Sequence, residues 1–101
     1  MHDLPIVCTL QPGELNARAN QLLPGVVAAA TARQTIENGF RFEFRPDGEL
    51  LASIVRMIEA ERHCCRFLRF VITVEPDGGP VALELSGPAG TREFIAGLLN
   101  L

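Results

Sequence analysis

The sequence predicts a two-layer α+β sandwich, a mainly antiparallel sheet in the order β-α-β-β-α-β-β-α with helices on one face. Two observations carry this. Alternating apolar segments occur as two pairs, one joined through Asn38-Gly39 and the other through Pro76-Asp77-Gly78-Gly79-Pro80, each the mark of a hairpin. Between the pairs lies a stretch with apolar residues at helical spacing. At 101 residues the chain has room for one core, so residues 1–101 are expected to form a single domain.

The elements follow in order. Leu4 to Leu10 places Ile6, Cys8 and Leu10 on one face of a short strand, with Cys8 facing inward, and Gln11-Pro12-Gly13 ends it. Glu14 to Leu23 puts Leu15, Arg18, Ala19, Leu22 and Leu23 on one side of a helix, which Pro24-Gly25 should stop. Arg18 thus falls on an apolar face. The first hairpin arm lies within Ala28 to Glu37, Asn38-Gly39 forms a primed turn, and the second arm alternates Phe40, Phe42 and Phe44 with Arg41, Glu43 and Arg45, a solvated face. Asp47 is placed to cap a helix running from about Glu49 to Cys65. Phe67 to Glu75 reads as a strand with Phe70, Ile72 and Val74 on one side, and Val81, Leu83 and Leu85 face the same way on its hairpin partner. After Gly87-Pro88-Ala89-Gly90, Thr91 should cap a last helix whose inner side is Phe94, Ile95, Leu98 and Leu99.

Composition narrows the function classes. A formal net charge of −3 with scattered arginines argues against nucleic-acid or anionic-membrane partners. Tyr and Trp are absent, which leaves ring stacking to six phenylalanines that read as core. Met-His-Asp-Leu-Pro lacks the basic-then-apolar run of a signal peptide, and no stretch approaches the roughly 18 apolar residues of a membrane span. A cytoplasmic location is expected. Three cysteines, two of them adjacent, do not make a secreted disulfide framework, so reduced thiols are the default.

The chemistry concentrates at Glu61-Arg62-His63-Cys64-Cys65. Turning about 100° per residue, the helix aligns Leu50, Ile54, Met57, Ile58, Glu61, Cys64, Cys65 and Leu68 in one stripe, with the carboxylate near its middle. An ionised carboxylate is too costly to bury alone, so Glu61 must meet a cation, hold a proton, collect donors or bind a metal. Arg18 is its expected counter-ion, either as a bridge that fixes the helices on the sheet or as a cation that lowers a thiol pKa. Vicinal thiols with Cys8 on a neighbouring strand suit soft ions such as mercury(II), arsenic(III), copper(I) or zinc. The plainer reading is that all three cysteines pack as small hydrophobes. His63 falls about 180° from the stripe's centre, on the side of Arg56 and Glu59, so exposure is expected rather than ligation. His2 is weaker still. A nucleophilic cysteine needs a base and an orienting third group, and only Glu61 and Arg18 are offered, so catalysis is the less favoured reading. The Gly87 to Thr91 loop lacks the lysine of a phosphate-binding loop and reads as a tight turn.

Taken together, Cys8-Thr9-Leu10, Glu61 to Phe70, and Leu85 to Gly90 with Glu93-Phe94 resemble a group of small bacterial proteins built around Glu-Arg-x-Cys-Cys-x-Phe-Leu-x-Phe. The group is associated with heavy-metal resistance. Its members often carry proline where this chain has Arg66, a change that would let the helix run on. The resemblance implies that Cys8, Glu61, Cys64 and Cys65 form one constellation. The functional expectation is binding of a soft metal or metalloid ion, or sensing of thiol oxidation, through Cys64 and Cys65 with Cys8, Glu61 and Arg18 around them. Two alternatives stand beside it: a non-catalytic interaction or scaffold domain that forms a homodimer through its sheet and keeps its cysteines inert, and a small-molecule pocket between sheet and helices with Glu61 and Arg18 as its polar contacts.

Overall fold

Residues 23–101 are described by the computed structural model, and within them both hairpins form. Strand β1 spans Ala32–Ile36, β2 Gly39–Phe44, β3 Arg69–Val74 and β4 Val81–Ser86. They make one antiparallel sheet in the order β1-β2-β4-β3, so the second hairpin joins the first through β4. Helix α1 covers the helical residues 23–28, α2 is Leu50–Cys64 and α3 is Thr91–Leu99. The α+β sandwich with an antiparallel sheet is therefore present. The expected strand over Leu4 to Leu10 and the expected helix from Glu14, all but its last residue, lie outside the described residues.

Register explains the core. Phe40, Phe42 and Phe44 stand opposite Leu85, Leu83 and Val81, and Phe70 and Ile72 stand opposite Leu85 and Leu83 from the other side. With side chains alternating along each strand, these residues share one face. Phe42, Phe44, Leu83 and Leu85 lose all contact with solvent. Ile54 and Met57 of α2 and Ile95 of α3 join the same buried cluster. On the opposite face Arg41 pairs with Glu84 across the strands at 2.9 Å and lies 3.8 Å from Glu43, so the predicted polar face is a half-buried ladder of ion pairs.

Three local expectations change. Pro24-Gly25 does not end a helix, because residues 23–28 are helical through it; Leu23 and Val26 are buried on the core, and that burial outweighs the weak local propensity of the pair. Gly39 is not a turn residue but the first residue of β2, paired with Ile36. The turn residues are Glu37 and Asn38, and of these Asn38 alone takes positive φ, at 55°. This place in the sheet requires glycine, because a Cβ there would collide with the Leu85 carbonyl oxygen. The primed turn occurs in the second hairpin instead, where Asp77 and Gly78 have φ of 62° and 72° and the Gly79 N–H donates to Pro76 O at 3.1 Å. Finally, Gly90 at φ 99° occupies the cap position of α3. Thr91 is instead its first residue, wholly buried, and its hydroxyl donates to the Pro88 carbonyl at 2.7 Å.

Candidate functional site

Helix α2 begins where Asp47 Oδ1 accepts the N–H groups of Glu49 and Leu50, each at 3.1 Å, satisfying two donors that a helix start leaves open. From there the 3.6-residue period buries Leu50, Ile54, Met57, Glu61 and Cys64, with Ile58 half-buried beside them. The stripe read from the sequence is the buried stripe of the molecule.

The helix ends at Cys64, one residue before the expected end, and Arg66 does not prolong it. Cys65 leaves the helix at φ −116° and ψ 78° while its N–H still reaches Glu61 O at 2.6 Å. The chain turns there because Phe67 and Leu68 fold back into the core, and Leu68 N–H donates to Cys65 O at 3.1 Å. One sulfur thus sits on the last helical residue and the other on the first residue beyond it.

Glu61 is 1% exposed, and among the described residues neither carboxylate oxygen has a hydrogen-bond partner. Burial strips its solvation, which penalises the charged form and pushes its pKa up from 4.5 to about 7. The carboxyl therefore crosses between its two protonation states near neutrality. Cys64 lies one helical turn on, at the spacing that puts two side chains on the same face. Cys64 and Cys65 are buried as well, 1% and 0% exposed. His63 is exposed, as its helical angle required.

Arg18 and Cys8 lie outside the described residues, and so does the expected bridge from Arg18 to Glu61. Among the described residues no three His, Cys, Asp or Glu side chains are grouped to hold a metal ion. The described His, Cys, Asp and Glu side chains therefore supply no third ligand grouped with Cys64 and Cys65. The loop from Gly87 to Thr91 is a tight connection: the Thr91 N–H donates to Pro88 O at 3.0 Å, and a Cβ on residue 87 would press on the Thr91 hydroxyl and the Phe67 carbonyl.

The sequence reading passed over a surface feature beside this site. Ile58, Arg62, Arg66, Leu68 and Phe70 line a groove of about 460 Å³ whose wall includes two arginines and whose other lining residues are apolar. Its lining does not include Glu61. The available signal was the placement of Arg62 and Arg66 on either side of the two cysteines. No described helix is long and apolar enough to cross a membrane. Comparison with protein-family models, with curated proteins and with solved structures finds no match, so the case for function rests on the chain's own geometry.

Proposed function

We propose that this chain binds a soft metal or metalloid ion through the thiols of Cys64 and Cys65, with Cys8 as a third sulfur and Glu61 and Arg18 as the polar groups around them. The observation that carries the reading is Glu61: a buried carboxyl one helical turn before the buried Cys64 and Cys65, with both oxygens lacking a partner among the described residues. An unpartnered acid in a core is costly, and a site that must handle protons gives it a purpose. Thiols bind metal as thiolates, so uptake releases protons, and a carboxyl poised near pH 7 can accept one. Two sulfurs select soft ions over hard ones. Sensing of thiol oxidation through the same pair is the companion reading, and burial of both sulfurs slows oxidant and ion alike.

Native mass spectrometry with one equivalent of mercury(II) or arsenite tests this on the wild type and on a Cys64→Ser/Cys65→Ser variant. The wild type should retain the ion and the variant should lose it; equal uptake by both rejects the proposal. The same burial supports a second reading, an interaction domain with inert thiols. Under that reading the folded protein resists thiol labelling and takes up no thiophilic ion.

A further inference from the structure

We propose that residues 4–10 of this chain dock as a fifth strand on the outer edge of β3, antiparallel to it, and so carry Cys8 onto the core face of the strand that leaves the Cys64-Cys65 turn. Among the described residues β3 pairs with β4 alone and β1 with β2 alone, so the sheet has two edges. They differ in kind. β1 is exposed from Ala32 to Thr35 and mostly polar, the character of an edge that faces water. β3 carries Phe70, Val71 and Ile72 half-buried and Val74 57% exposed, and an apolar edge left open is a template for another strand. Leu4 to Leu10 supplies an alternating apolar segment to pair with it.

Chain direction selects the same edge. β2 and β3 each run antiparallel to β4, hence parallel to each other, and α2 connects them. Connections of this kind are right-handed in nearly every case. α1 lies on the same face of the sheet as α2, because Leu23 and Val26 share one buried cluster with Ile54 and Met57. β1 runs opposite to β2, so a strand that reaches β1 through α1 keeps the right hand only by crossing the sheet in the opposite sense, from the β3 side toward β1. A strand outside β1 would make that crossing left-handed. Parallel to β1, the new strand lies antiparallel to β3. Residues 11–22 can reach about 40 Å when extended, against roughly 19 Å for the four strand spacings between the new edge and β1. Placed there, Ile6, Cys8 and Leu10 continue the face of Val74, Ile72 and Phe70, and Cys8 stands beside Ile72 in the register that matches all three.

Solution NMR of the full wild-type chain tests the placement. Cross-strand nuclear Overhauser contacts should join residues 4–10 to residues 69–74 in antiparallel order, with the Cys8 side chain on the core face. Ile6→Asp, which puts a charge on that face, should speed amide hydrogen exchange along β3 at least about tenfold, whereas Thr9→Lys on the opposite face should leave it unchanged. The wild-type contacts decide the matter where the Ile6→Asp variant fails to fold. Contacts from residues 4–10 to β1, a parallel pattern, no contacts to β3, or β3 exchange that ignores Ile6→Asp in a folded variant overturns the proposal. These readings need no ion, so their failure refutes the fifth strand and leaves uptake by the thiol pair to the mass-spectrometric test.

Discussion

The sheet face and the α2 stripe are both buried, but under opposite chemical rules. Between β2 and β4 every inward position is apolar, and Phe42, Phe44, Leu83 and Leu85 pair across the strands with no solvent contact. On α2 the same core receives Leu50, Ile54 and Met57 and then, in the last turn, an acid and two thiols. Apolar burial of the first kind stabilises by roughly 1.5–3 kcal/mol per large side chain. Burial of the second kind spends part of that gain on desolvating a carboxyl. The contrast separates a region built for stability from one where stability has been given up locally, which is the usual mark of a site with another task.

The largest expected effect is on the apolar side. Phe42→Ala removes a fully buried ring from the central strand pair and should cost about 3–5 kcal/mol in denaturant unfolding. A loss below about 1 kcal/mol would mean the strand pair is not the core.

The next effect has the opposite sign and tests the α2 side. Below pH 4.5 Glu61 is protonated whether the chain is folded or not. Between 4.5 and about 7 the unfolded chain gives up the proton while the folded one keeps it, so stability falls as pH rises across that window and levels off above it. The full drop is about 3 kcal/mol. Glu61→Gln should abolish the drop, leaving a variant close to wild type in acid and more stable by up to about 3 kcal/mol above pH 7. If Arg18 neutralises Glu61 instead, the substitution destabilises at neutral pH and the comparison breaks.

Smaller effects sharpen it at the edges. Gly39→Ala brings a Cβ into the Leu85 carbonyl and should cost about 1–3 kcal/mol by forcing β2 from β4. Asp47→Ala removes the acceptor for two α2 N–H groups and should cost about 0.5–2 kcal/mol. Arg41→Ala breaks a half-exposed cross-strand pair with Glu84 and should cost less than about 1 kcal/mol.

The sequence was legible where periodicity and burial agree. The α2 stripe, including Glu61 at its centre, came directly from the helical period, because an amphipathic helix has one way to hide its apolar side. The strand faces of Phe40, Phe42 and Phe44 and of Val81, Leu83 and Leu85 were equally readable from alternation. What failed was local chemistry decided by tertiary contact. Gly39 carries a turn signature, yet its lack of a Cβ serves a close approach to Leu85. Thr91 looks like a cap, yet its hydroxyl turns back to Pro88. Pro24-Gly25 looks like a stop, yet Leu23 and Val26 hold the helix on the core. The groove between Arg62 and Arg66 joins residues from α2, the following turn and β3, and no single periodicity spans those three.

The premise beneath the site is a buried carboxyl at the end of α2 with no hydrogen-bond partner among the described residues. Carbon-13 NMR of the Glu61 side-chain carboxyl, followed through a pH titration of the folded protein, measures it directly. The account predicts a midpoint near 7, and a midpoint at the ordinary 4.5 would contradict it.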